Sequence, residues 1–207
     1  MTNRRTFIKL GASSLALAPL AATAGSMVQT PDQTTGPFYP KELPLDADND
    51  LIWIEGRERP ASGVPTNVIG RVITPAGQPV AGARVEIWQC DANGRYHHPD
   101  DPNSAPLDEN FQAYGNTTTD ADGRYRFRTI KPVPYPGRVA HIHYRVTTPG
   151  GSQLATQMYI AGDPGLEKDF VFQSIEGDAR RASVQAEFRP NPDDSAELLA
   201  EWDLVIA

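Results

Sequence analysis

Residues 131–144, Lys-Pro-Val-Pro-Tyr-Pro-Gly-Arg-Val-Ala-His-Ile-His-Tyr, gather imidazole, phenol and guanidinium side chains into one short stretch. Its end alternates as a β-strand does. Successive side chains of a strand leave opposite faces, so His141 and His143 share one face while Ile142 and Tyr144 take the other. Tyr135 is flanked by Pro134 and Pro136, and the fixed proline φ, with the restriction on residues before proline, leaves its phenol few orientations. Arg138 brings a permanent positive charge beside whatever the two histidines bind. Donors of this kind suit a metal ion, because imidazole serves iron, copper and zinc alike and a phenolate is a hard anionic oxygen ligand.

The elements that must position these groups read as strands and turns. Residues 68–73 are β-rich, and 83–88 alternate with Ala83, Val85 and Ile87 on one face. Asp91-Ala92-Asn93-Gly94 and Asp120-Ala121-Asp122-Gly123 are turns, the second feeding a strand that sets Tyr125 and Phe127 against three arginines. Further strands are expected over 141–146, 155–160, 184–188 and 202–206. No sustained helical period precedes Asp193, and 195–201 reads as a short helix. The segment 103–116 is long and polar, and loops of that size tend to be functional. Short strands at turn-punctuated spacing predict an all-β fold, a single β-sandwich with long connecting loops.

Ahead of the sandwich the expected organisation is an export signal over 1–24, an extended arm over 25–66 and the domain over 67–207. Arg4-Arg5 precede an uncharged, small and apolar run, followed by Ala22-Thr23-Ala24 as a cleavage site. Arg4-Arg5-Thr6-Phe7-Ile8-Lys9 resembles a twin-arginine export signal, a receptor-read address rather than a membrane anchor. Without its Arg4, Arg5 and Lys9 the formal charge moves from −7 to −10. So acidic a chain is a poor ligand for nucleic acid or an anionic membrane surface, both of which reward clustered Lys and Arg. The single cysteine, Cys90, excludes an internal disulfide despite the expected periplasmic or extracellular location.

Gly94-Arg95-Tyr96, the run 129–136, Arg138-Val139-Ala140-His141-Ile142-His143 and Thr156-Gln157-Met158-Tyr159 together resemble the intradiol ring-cleavage dioxygenases, the protocatechuate 3,4-dioxygenase and catechol 1,2-dioxygenase superfamily. The resemblance implies a non-haem Fe³⁺ ion held by Tyr96, Tyr135, His141 and His143. It gives Arg138 the stabilisation of charge on the substrate ring, and Gln157 the orientation of Arg138. Tyr135 becomes the ligand that leaves when substrate arrives and accepts one of its protons. The implied partners are a small aromatic diol and O₂, with ring opening between the hydroxyl-bearing carbons to a muconate-type diacid and no external reductant. Only residues 136–140 separate Tyr135 from His141, fewer than in protocatechuate dioxygenases, which implies a more open pocket. Gly36, Pro37 and Tyr39, with the loop near Tyr114, are the candidates for the substrate-binding wall. A homo-oligomer is compatible with the resemblance.

Two other readings stand beside this one. The turn residues of Gly70-x-Val72, Pro79-x-x-Gly82-Ala83 and 119–125 also resemble transthyretin-like repeats of non-catalytic binding modules. A zinc or copper site on His141, His143 and His97 or His98 would leave the tyrosines structural. His97 and His98 otherwise read as polar turn residues, Trp53, Trp88 and Trp202 as core or sheet-edge residues, and Cys90 as a buried small hydrophobe.

Overall fold

The computed structural model describes residues 26–207, so the expected export signal lies outside the described residues. Ten strands follow in order: β1 (Pro65–Ile73), β2 (Arg84–Trp88), β3 (Tyr114–Thr118), β4 (Arg124–Ile130), β5 (His141–Thr147), β6 (Gln153–Ile160), β7 (Gln185–Ala186), β8 (Phe188–Pro190), β9 (Leu198–Glu201) and β10 (Leu204–Val205). One sheet is built around β1, with antiparallel β4 along one edge and parallel β9 and β10 in succession along the other. The other runs β3-β2-β5-β6-β7. Val68, Val72 and Phe127 of the first sheet meet Val85, Ile87, Ile142, Tyr144 and Val146 of the second in one apolar core. The β-sandwich expectation is met.

Several local expectations are corrected. Residues 195–201 do not form a helix: Leu198–Glu201 is β9, whose residues pair with Thr66, Asn67, Val68 and Ile69 of β1. Ala, Glu and Leu favour helix in isolation, but a free edge of β1 and burial of Leu199 and Ala200 override that preference. Residues 184–188 divide between β7 and β8. The polar segment 103–116 ends in β3, which pairs with β2 from Trp88↔Tyr114 onward. Short helices α1 (Phe170–Gln173) and α2 (Asp178–Ala182) and a 3₁₀ turn (Pro164–Glu167) lie between β6 and β7, each too brief to show a period in the sequence.

The arm is extended yet integral to the domain. Met27 N–H donates to the Pro75 carbonyl, Thr30 N–H to Val205 and Gln33 N–H to Ala155 at 2.9, 3.1 and 2.7 Å, and Leu51 and Ile52 are buried in the core. Trp88 and Trp202 are buried as expected, whereas Trp53 is 46% exposed, outside both core and sheet.

Candidate metal centre

The outer face of the second sheet carries the chemistry. Registry sets Trp88 of β2, His143 of β5 and Gln157 of β6 side by side, with His141 opposite Tyr159. Both imidazoles are buried, and their Nε2 atoms are 3.1 Å apart. His141 Nδ1 lies 2.7 Å from the Val139 carbonyl, which can only accept, so Nδ1 carries the proton and Nε2 presents a lone pair. His143 stacks on Trp88 at 4.9 Å and 4° between planes. Burial, reinforced by the Arg138 charge and opposed by the Val139 carbonyl, pushes the His141 pKa down to about 4. Burial lowers His143 well below the usual range, with His141 and Arg138 adding to the shift. Both rings are therefore neutral near pH 7, the protonation state a metal requires.

The turn after β2 delivers the first phenol. The buried Asp91 carboxylate accepts from the N–H groups of Asn93, Arg95 and Asp108 at 2.9, 3.1 and 2.8 Å. Asp101 accepts from Tyr96 N–H at 2.6 Å, and the Asn103 side chain donates to the Gly94 carbonyl at 2.7 Å. Much of the polar segment 103–116 thus braces the turn that carries Tyr96. Gly94 has φ +73°, and a Cβ there would stand 2.9 Å from the Pro134 carbonyl, so only glycine lets this turn close onto the segment carrying Tyr135.

The two tyrosine rings meet edge to face at 5.2 Å; Tyr135 is 5.5 Å from the His141 ring, and Tyr96 is 6.3 Å from His143. The four expected ligands converge. Tyr96 is 3% exposed, and its hydroxyl is buried with no hydrogen-bond partner among the described residues. Burial pushes the Tyr96 hydroxyl well above the ordinary tyrosine range, Cys90 and Tyr135 adding to the rise and Arg138 opposing it. Burial likewise raises Tyr135, against the pull of the Arg138 charge.

This donor set fits a metal ion. The two Nε2 atoms, 3.1 Å apart, are close enough for one cation to take both lone pairs. A cation would also give the orphaned Tyr96 oxygen its missing partner and stabilise phenolates that burial otherwise disfavours. His97 packs edge-on against Phe111 at 6.3 Å, and His98 lies beside Phe38 while its Nδ1 accepts from Asp100 N–H at 3.2 Å. Among the described residues no three His, Cys, Asp or Glu side chains group as a metal site, so the zinc or copper reading built on these histidines has no support.

Arg138 and Gln157 are in contact, the guanidinium Nη2 donating to Gln157 Oε1 at 2.7 Å. Gln157 Nε2 donates in turn to the Thr34 carbonyl at 3.0 Å. Asp169, which sequence reasoning missed, takes the Arg138 Nε–H at 2.8 Å. An Asp ahead of Phe-Val-Phe is a recognisable helix cap, but nothing in the sequence ties it to Arg138.

The wall candidates divide. Gly36 belongs to the site: at φ +68°, a Cβ there would approach His143 Cε1 to 3.2 Å. Pro37 is exposed beside it. Tyr39 turns away, donating from its hydroxyl to Glu86 Oε1 at 3.0 Å and packing edge-on against Trp88 at 5.0 Å. Phe38 takes the place expected of Tyr39, its ring 4.7 Å from Tyr96 and 6.1 Å from Tyr135. Tyr114 is buried in β3 and donates to Glu86 at 2.6 Å, so it braces Tyr39 rather than lining a cleft. Cys90 is buried in the same cluster as Trp88, Tyr96 and Tyr114.

Residues 34–207 match the family model described as "Dioxygenase". The chain is 39% identical over 178 residues to the protocatechuate 3,4-dioxygenase beta chain of Burkholderia cepacia, covering 82% of this chain and 76% of that one. It is 34% identical over 197 residues to the hydroxyquinol 1,2-dioxygenase of Rhodococcus opacus, covering 83% of this chain but 62% of that protein. Among solved structures, the dioxygenase domain of a dioxygenase and carbohydrate-binding fusion from Streptomyces sp. SirexAA-E superposes with a TM-score of 0.66 at 29% identity, covering 86% of this chain and 97% of that domain.

Proposed function

We propose, from the premise that the chain belongs to the intradiol ring-cleavage dioxygenase family, that it opens a catechol or protocatechuate-type ring between its two hydroxyl-bearing carbons. In this reading Tyr96, Tyr135, His141 and His143 hold a non-haem ferric ion. The observation that carries it is that two buried imidazole Nε2 atoms stand 3.1 Å apart, with the Tyr96 ring 6.3 Å from that of His143 and the Tyr96 hydroxyl buried without a hydrogen-bond partner among the described residues. A ferric ion held there would supply Lewis acidity, lowering the pKa of the diol hydroxyls so that the diol is bound in its ionised form. Both oxygen atoms enter the diacid product as the carbon–carbon bond breaks, so no reductant is consumed.

The protein's own groups divide the remaining work. Tyr96, buried and wedged against Phe38, is the phenol built to stay in place. Tyr135 is half-buried in a turn whose Pro134, Pro136 and Gly137 are exposed, so it can swing out and take a substrate proton on its oxygen. Once in water its phenolate has the ordinary tyrosine pKa of about 10, so it regains a proton readily near pH 7. Arg138 presents positive charge beside the ring, where negative charge develops as the ring reacts, and is preorganised by Gln157. Phe38 and Trp88 supply apolar walls that exclude water from the donor set.

Oxygen uptake with a panel of catechols, together with product identification, tests the reading. Turnover with added Fe³⁺ and no reductant, giving a muconate-type diacid, is expected. Activity that requires Fe²⁺ and ascorbate, or ring opening outside the two hydroxyls, would overturn it. The Arg4-Arg5 segment supports export of the protein to the periplasm or beyond, which fractionation of cells producing the full chain would check.

A further inference from the structure

Asp169 is an acid buried to 0% side-chain exposure that ties the start of α1 to the segment leading into β5. It accepts from the N–H groups of Val171 and Phe172 at 3.1 and 2.9 Å, capping α1. It also accepts from Val139 N–H at 3.2 Å, two residues before His141. With its remaining capacity it grips Arg138, taking Nε–H on Oδ2 at 2.8 Å and Nη2–H on Oδ1 at 3.3 Å.

A guanidinium has five N–H groups in a fixed plane. Asp169 occupies Nε and one hydrogen of Nη2, and Gln157 Oε1 takes the other Nη2 hydrogen at 2.7 Å. Nη1 is then the guanidinium nitrogen that neither Asp169 nor Gln157 holds, and the Arg138 side chain also acts on the nearby Tyr135 and Tyr159 hydroxyls. Phe170, itself 69% exposed, lies over the same group with the guanidinium carbon 5.4 Å from its ring centre. Asp169 and Gln157 hold the plane by its edge while Phe170 covers a face, so the side chain cannot turn a different nitrogen toward the site.

We propose that Asp169 is a positioning residue for catalysis, fixing Arg138 so that Nη1 alone faces the reacting ring while balancing the buried positive charge. The inference rests on the charge-stabilising role given to Arg138 above. A cap alone would need the carboxylate only at Val171 and Phe172. The grip on Arg138 adds a second task, and the two separate by substitution. Asn is as good a cap as Asp but carries no charge, and Ser caps without reaching Arg138. Glu keeps the charge on a longer stem.

The test uses the full, iron-loaded chain with catechol as substrate and 4-nitrocatechol as an anaerobic binding probe read by its visible spectrum. Asp169→Asn should lower kcat by about 10–100-fold, the loss typical when a group that orients a ligand is removed. The 4-nitrocatechol dissociation constant should stay within about threefold, because the donor is needed as charge develops and not for ground-state binding. Asp169→Ser should show the same loss, and keeps the question open to experiment if the Asn variant folds poorly. Asp169→Glu should recover part of kcat. In an Arg138→Lys background, Asp169→Asn should cost under about threefold, because the two residues act as a unit. Parental kcat in the Asn or Ser variant, or an equal loss in both backgrounds, would overturn the proposal. Arg138→Lys with parental turnover would instead remove the reading beneath it, so the two failures are distinguishable.

Discussion

The two faces of β5 are built on opposite rules. Ile142, Tyr144 and Val146 point into the sandwich, where they are fully buried among other apolar groups. His141, His143 and Arg145 point outward beneath the arm and the segment that carries Asp169, and the two histidines are buried almost as deeply. The inner face is stabilised by removing apolar area from water, a term that is non-directional and tolerates exchange of similar volumes. The outer face is polar, and burying polar groups costs free energy unless each finds a partner. Most do: Glu86 takes the hydroxyls of Tyr39 and Tyr114, and Asp169 takes Arg138. The Tyr96 oxygen does not, nor do Trp88 Nε1 and His143 Nδ1 beside it, among the described residues. An inner position therefore reports on folding and an outer one on chemistry.

The largest effect that can break this contrast lies inside. Phe127→Ala should cost about 3–5 kcal/mol of stability, as large-to-small changes in a packed core do, while leaving turnover per bound iron unchanged. Denaturant titration alongside iron-normalised rates checks both halves; a specific loss of turnover would mean the faces are not independent. Tyr96→Phe should do the reverse, weakening iron binding by about 100-fold or more while changing the metal-free stability by under about 1 kcal/mol, since the lost hydroxyl had no partner. Competition with a chelator and calorimetry of the metal-free protein measure these.

Acid should find the outer face first. The His141 pKa is lowered from 6.5 unfolded to about 4 folded, so between those values the unfolded chain binds the extra proton. Stability of the metal-free protein should therefore fall as pH drops from about 6.5 to about 4, by up to about 3 kcal/mol, and be insensitive to this group above that window. His141→Gln should make the profile shallower, with His143 carrying the part that remains, and an unchanged profile would show that His141 does not contribute. Smallest of all, Gly36→Ala should cost about 1–2 kcal/mol, because its φ of +68° disfavours any Cβ and its neighbour is a His143 carbon. A variant as stable as the parent would show that the arm shifts freely off the site.

The same contrast explains what the sequence disclosed. Strand alternation placed His141 and His143 together because the period of a strand is local, and the inner-facing Val85, Ile87, Tyr125 and Phe127 were legible for the same reason. The residues that complete the site are contributed by distant chain, and no local period announces them. Asp169 reaches Arg138 from a four-residue helix, and Phe38 replaces Tyr39 beside the phenols because the arm turns at Gly36. Trp88 was legible as buried, but its stacking on His143 follows from the β2–β5 register. The C-terminal strand β9 was misread as helix for a related reason, since the edge of β1 that it fills lies far off in sequence.

The central claim is that two phenolates and two imidazoles on the outer face hold Fe³⁺, and visible absorption of the iron-loaded protein and its two tyrosine variants tests it most directly. Phenolate bound to ferric iron absorbs visible light, so the parent should be red to brown with one iron per chain. Tyr135→Phe should keep iron and colour through Tyr96 but turn over slowly, whereas Tyr96→Phe should lose both iron and colour. A colourless parent that binds iron, or two variants that both keep the parental spectrum and full iron, would contradict the account.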